Sequence, residues 1–312
     1  MKMDVELGAA LSELTQDDEP AGTRTWQEIR QATDEMYPTL TRALERPELD
    51  ERIYEASSVD GASVALHWFS PRAVDSSHRT AAVVHAHGGG MIAGSVALFA
   101  PYVREYVARS GVPFLSVDYR RGPEASGELP GQDVFAGTRW LHDHAAQLGV
   151  DPERIAVMGE SAGAGLAAVS AIRARDAGLP VARQILIYPM LDDRTVTSDP
   201  HTAPFLTWSA NDNRVGWNAV LGDRRGTDGV PAVIAPARLD DFSGLAPAYL
   251  EVGALDLFRD ETVRYASSLW AAGVDAELQV LPGLTHGWDQ FAPTSRVRAA
   301  TLERRVRILH AI

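Results

Sequence analysis

The chain has 312 residues, 45% of them hydrophobic and 23% charged, with a formal net charge of −13. Such a composition can bury a sizeable core and excludes wholesale disorder, while the acidic balance argues against nucleic acid as a partner. There is no cysteine, which excludes a disulfide framework, thiolate metal sites and a cysteine nucleophile.

The opening stretch MKMDVELGAA lacks a long apolar core behind a basic patch, so it does not read as a secretory signal. No apolar run approaches the ~18 residues of a transmembrane helix. A cytoplasmic protein with no membrane partner is expected. The first 50 residues are helical in character. TWQE at 25–28 is a capping-box pattern, and Trp26, Ile29, Met36 and Leu40 follow at helical spacing. Pro38 should kink or split that helix, because it lacks an N–H and crowds the preceding turn. RIYEASSVDGASVALHWFS then reads as two strands joined by the turn pair Asp60-Gly61.

From residue 80 onward, short apolar runs alternate with helical segments. Strands are predicted at 80–87, 113–119, 154–159, 183–189, 248–253 and 276–281, and helices around 96–109, 131–148, 162–176, 258–272 and 295–310. This alternation implies an α/β fold with a mainly parallel sheet of about eight strands, an antiparallel N-terminal hairpin and helices on both faces. Nearly sixty residues separate Pro189 from Ala248, too many for a plain connection. They include PFLTWSANDNRVGWNAVLG (204–222), which reads as a helix carrying two tryptophans. Residues 199–232 are therefore an insertion expected to cover the edge of the sheet.

VMGESAGAGLAA (157–168) contains the pattern Gly159-Glu160-Ser161-Ala162-Gly163 between a β-rich run and a small-residue helix. A sharp strand-to-helix turn needs glycine on both sides of the serine, and it lifts the hydroxyl out of the sheet as a nucleophile. The base should stand on a loop at a strand C-terminus, and His286 in LPGLTHGWDQF does. His67 and His85 fall within strands, His310 lies in the last helix, and His142 and His144 face different ways on another. In YLEVGALDLFRDE, Asp256 is nearest the strand end and is the candidate acid, whereas Asp260 and Glu261 are expected to be surface charges on the following helix. A carboxylate there fixes the tautomer of the imidazole.

HAHGGGMIAG (85–94) precedes the serine by some 70 residues, behind a strand. Acyl transfer develops negative charge on a carbonyl oxygen, and side-chain-free backbone lets amide N–H groups approach it. The N-terminus of the helix after Ser161 adds the amide of Ala162 and a favourable dipole. His87 is read as a hydrogen-bonder that orients this loop. His85 and His87 could share a metal by spacing, but no third ligand is evident and no metal or cofactor is expected.

Together these motifs resemble the hormone-sensitive-lipase family of α/β-hydrolase esterases. The resemblance rests on His87-Gly88-Gly89-Gly90, DYRRGPE (118–124), GESAG (159–163), DLFRDE (256–261) and HGW (286–288), and it spans roughly residues 55–312. It implies Ser161 as nucleophile, Asp256 as acid, His286 as base, and Gly88, Gly89 and Ala162 as oxyanion donors. It also implies a catalytic domain over 50–198 and 233–312 and a helical cap made of 1–49 and 199–232. The chain departs from the family at Arg121-Gly122, where leucine and alanine are usual, and at AGAG (162–165), where AGG is usual. The implied activity is hydrolysis of small-molecule carboxylic esters through an acyl-enzyme on Ser161. Lactones or amides are alternative substrates of the same triad, and a binding protein that has kept only the pocket is a further alternative. Met91, Tyr188, Phe205, Trp208, Trp217 and Trp288 are candidate pocket residues. If Trp208 and Trp217 crowd that pocket, short-to-medium acyl chains should be preferred. The resemblance also makes a homodimer plausible.

Overall fold

Adjacent residues on a strand point to opposite faces of its sheet, and in this chain both faces are apolar. The computed structural model describes residues 1–14, 23–45, 47–72 and 79–312. Val83, Phe114, Ala156, Ile185 and Tyr249 join one hydrophobic cluster, and their chain neighbours Val84, Leu115, Val157, Leu186 and Leu250 join another. Strands buried on both faces belong to a mainly parallel sheet sandwiched by helices.

The strands are β1 (Asp50–Ser57), β2 (Ser63–Ser70), β3 (Thr80–Ala86), β4 (Phe114–Val117), β5 (Val150–Glu160), β6 (Arg183–Ile187), β7 (Ala248–Gly253) and β8 (Ala276–Leu281). Among the described residues they form one eight-stranded sheet in the order β1-β2-β4-β3-β5-β6-β7-β8. β2 runs antiparallel to β1 and to β4, and the remaining pairings are parallel. The hairpin keeps one register from Asp50 opposite Ser70 to Ser57 opposite Ser63. Its turn holds Gly61 at φ +83°, and Asp60 Oδ1 accepts from the Ala62 N–H.

The helices are α1 (Val5–Leu14), α2 (Trp26–Leu40), α3 (Val96–Ser110), α4 (Leu129–His144), α5 (Ala162–Asp176), α6 (Ala210–Leu221), α7 (Arg259–Ala271), α8 (Trp288–Phe291) and α9 (Arg296–His310). Val103 and Tyr106 of α3 and Leu302 and Ile308 of α9 cover the Val83 face, and Leu7 of α1 is sealed in the same cluster. Val134 of α4, Ala168 of α5 and Tyr265 of α7 cover the Val84 face. α2 lies against α3 and α6. Among the described residues no helix is long and apolar enough to cross a membrane.

Two local expectations need correction. Pro38 does not split α2, because it sits in the last turn and the helix ends two residues later, where the Thr41 N–H turns back to the Tyr37 and Thr39 carbonyls. The segment 204–222 is not one helix. α6 starts only at Ala210, because Ser209 accepts from the Asp212 N–H and Asp212 returns a bond to the Ser209 N–H. That capping box leaves Trp208 ahead of the helix and Trp217 within it.

Candidate active site

β5 ends at Glu160 and α5 begins at Ala162, so Ser161 alone reverses the chain, at φ 57° and ψ −121°. That backbone conformation is costly for a residue with a Cβ and survives only where its surroundings enforce it. Here the Ser161 N–H donates to the Ile187 carbonyl at 2.9 Å, and the Met190 N–H donates to the Ser161 carbonyl at 3.0 Å. The flanking glycines are steric necessities. A Cβ on Gly163 would lie 2.0 Å from the Ala86 oxygen, and one on Gly159 would lie 2.4 Å from the Gly163 carbonyl.

The turn aims the hydroxyl at a histidine brought from the far end of the sheet. Ser161 Oγ lies 2.8 Å from His286 Nε2, and His286 Nδ1 lies 2.9 Å from Asp256 Oδ2. Asp256 Oδ1 accepts from the Phe258 N–H at 2.9 Å, so both carboxylate oxygens are engaged. A carboxylate acts only as acceptor, so Nδ1 carries the proton and Nε2 is left free to accept from serine. The three side chains are nearly buried, at 7%, 7% and 2% exposure for Ser161, His286 and Asp256.

The glycine loop lies against the turn: a Cβ on Gly88 would stand 3.1 Å from the Glu160 oxygen and 3.4 Å from Ser161 Cβ. Its carbonyls are tied away from the serine. Gly88 O accepts from His87 Nδ1 at 2.8 Å, Gly89 O accepts from the Ile92 and Ala93 N–H groups, and Met91 O accepts from Gly122 N–H. No hydrogen bond within the described residues engages the N–H of Gly88, Gly89 or Ala162. The third glycine is shaped by packing, because a Cβ on Gly90 would meet the Trp208 indole at 2.5 Å.

A family model described as the alpha/beta hydrolase fold matches residues 83–290. The Mycobacterium tuberculosis esterase LipI is 37% identical over 214 residues, a stretch that covers 67% of this chain and 66% of LipI. The hormone-sensitive lipase of Bos taurus is 37% identical over 110 residues, 35% of this chain and 15% of that protein. A bacterial heroin esterase superposes with a TM-score of 0.88 at 30% identity, covering 99% of this chain and 98% of that one. The chain belongs to the hormone-sensitive-lipase family of carboxylesterases.

In this esterase the remaining candidate residues occupy different layers. Tyr188 has φ +37°, presents its ring edge to His286 at 4.8 Å and donates from its hydroxyl to Asp289 Oδ1 at 2.9 Å. Trp288, fully buried, packs edge-on behind Tyr188 at 5.0 Å. Trp217 lies in the main core cluster and Met91, at φ +62°, is 3% exposed. Phe205 and Trp208 are partly exposed in the insertion. His85 and His87 hold different partners: His85 bonds Ser116 Oγ and Glu160 Oε2, each at 2.9 Å, whereas His87 stacks on Tyr119 at 4.2 Å. Burial lowers the His87 pKa to about 4, so the ring is neutral. Among the described residues no group of three or more acidic or histidine side chains could hold a metal ion.

One expectation is overturned. Glu261 is not a surface charge but is 1% exposed. It accepts from the Leu191 N–H at 2.6 Å and from the Thr195 hydroxyl, pinning the chain where it leaves β6 for the insertion. Burial pushes its pKa up to about 8. The sequence also gives no hint of Thr207, whose hydroxyl donates to the His286 carbonyl at 2.7 Å and ties the insertion to the histidine loop.

Proposed function

We propose that this carboxylic ester hydrolase works through an acyl-enzyme on Ser161. The observation that carries the reading is the unbroken hydrogen-bond chain from Asp256 through His286 to Ser161 Oγ, with links of 2.9 and 2.8 Å. Oγ attacks the ester carbonyl as His286 Nε2 takes its proton. The resulting imidazolium is stabilised by Asp256 and protonates the departing alcohol. Water then repeats the cycle on the acyl-enzyme and releases the acid. The N–H groups of Gly88, Gly89 and Ala162 receive the developing oxyanion, with Ala162 adding the N-terminal dipole of α5. The scheme calls on no metal or cofactor.

In this reading residues 1–49 and the 199–232 insertion are the cap, and short-to-medium acyl chains are the preferred substrates. Trp208 supports that preference, because it already fills the space beside Gly90 in the oxyanion loop. A series of p-nitrophenyl esters tests it: kcat/KM should peak at about C8 or shorter, and a maximum at about C10 or longer would contradict it. Ser161→Ala tests the mechanism and should lower kcat by roughly 10⁶ with KM little changed. Turnover near the normal rate would end the assignment.

A further inference from the structure

Most anchors of the oxyanion loop come from its own neighbourhood. His87, Ile92, Ala93 and Gly122 supply the bonds described above, and Arg121 Nη1 donates to the Gly94 carbonyl at 2.6 Å. The Ile92 carbonyl differs. It accepts from Nε of Arg30, at 2.6 Å, across 62 positions of sequence and from a different layer of the molecule. The same guanidinium donates to the Gly122 carbonyl at 2.9 Å and forms a two-pronged ion pair with Glu124 at 2.7 and 2.9 Å. Its Cζ lies 4.6 Å from the centroid of the Trp26 ring. A planar fork of five donors suits one side chain to all of these partners at once, which a lysine could not match.

Packing points the same way. Ile92 and Ala93, both 0% exposed, do not belong to either sheet-face core. They form a small cluster with Ile29 and Trp26 of α2 and with Trp208, Val215 and Ala219 of the insertion. On the other side, Gly216 of α6 lies so close that an added Cβ would sit 2.7 Å from the Gly90 oxygen. Ile92 and Ala93 are thus packed by α2 and the insertion, whereas Met91 beside them joins the sheet-face core.

We propose that Arg30 is a positioning residue for the oxyanion hole, in which α2 acts through the Arg30–Ile92 bond to hold the loop that presents the Gly88 and Gly89 amides. The proposal rests on the acyl-enzyme reading above. An oxyanion donor is effective only if it is fixed before the charge develops, so slack at Ile92 is felt three residues away as a misplaced amide. The loss should therefore fall on the transition state rather than on substrate binding.

The test compares Arg30→Met, which keeps the apolar stem, and Arg30→Lys with the wild-type enzyme. A trifluoromethyl ketone, which adds to Ser161 and places an oxyanion in the hole, is set against the matching carbinol, which fills the site without one. Arg30→Met is expected to lose about ten- to a hundredfold in kcat on p-nitrophenyl butyrate, with KM within about threefold. Ketone affinity should weaken by the same factor and carbinol affinity should hold, with Arg30→Lys recovering part of both losses. Stoichiometric labelling by a fluorophosphonate certifies that each variant is folded. If Arg30→Met does not fold, the ketone-to-carbinol ratio in Arg30→Lys decides. Equal weakening of ketone and carbinol, or no change in either, overturns the proposal. Failure of the ketone to inhibit the wild-type enzyme, or a label away from Ser161, would instead remove the acyl-enzyme reading on which it stands.

Discussion

Replacing Asp256 by asparagine changes one atom and should nearly silence the enzyme, for a reason set by the hydrogen bonds on both sides of the carboxylate. Oδ1 accepts from the Phe258 N–H at 2.9 Å, and Oδ2 faces His286 Nδ1 at 2.9 Å. In Asp256→Asn the amide oxygen keeps the backbone bond, which turns the NH₂ group toward Nδ1. The imidazole must then carry its proton on Nε2, pointing at Ser161 Oγ, where it cannot accept the serine proton. Flipping the amide restores the tautomer but sets NH₂ against the Phe258 N–H in a buried site. That costs about 2–3 kcal/mol for the orphaned donor. The lost negative charge removes a further ~2–3 kcal/mol of support for the imidazolium, the scale of a hydrogen bond to a charged group. The total of about 4–6 kcal/mol corresponds to a 10³–10⁴-fold drop in kcat. Steady-state kinetics on p-nitrophenyl butyrate with KM near normal, plus a Tm close to the wild-type value, would bear this out. Activity within about tenfold of wild type would refute the role given to Asp256.

Acid should destabilise the fold through His87. Its folded-state pKa is lowered to about 4 by burial, so its stabilising contribution is complete above the unfolded value of about 6.5 and is lost as pH falls toward 4, a change of about 3 kcal/mol. Urea titrations at pH 7 and pH 4.5 should show a smaller loss in His87→Gln than in wild type, and equal losses would contradict the burial argument. Gly90→Ala should destabilise by about 2–4 kcal/mol, from a left-handed φ of +61° and the clash with Trp208. Adding Trp208→Ala should recover about 1–2 kcal/mol of this in a double-mutant cycle, and simple additivity would show that the two residues are not in contact.

The arrangement of the candidate site was legible because each of its elements carries a local signature. Gly159 and Gly163 are demanded by the approach of Ala86, Asp256 and His286 follow directly on strand ends, and Asp60-Gly61 closes a hairpin whose register runs without a slip. What escaped is made of contacts between distant segments. Glu261 looks like any helix-surface glutamate until the backbone of Leu191, 70 positions earlier, is folded onto it. Arg30 looks like a solvated cation beside a tryptophan until Ile92 and Glu124 arrive. Pro38 misleads in the opposite sense, since the rule against proline in helices weakens in a terminal turn. The stretch 204–222 reads as one helix until Ser209 and Asp212 close a capping box that starts α6 after Trp208.

The central claim is a covalent intermediate on Ser161, and trapping it is the most direct test. Enzyme quenched in acid within milliseconds of mixing with p-nitrophenyl butyrate should gain one butyryl group, recovered by peptide mass mapping on the segment that carries Ser161. A rapid release of p-nitrophenol matching the enzyme concentration should accompany it wherever deacylation is the slower step. An acyl group mapped to another residue, or unchanged turnover in Ser161→Ala, would contradict the account.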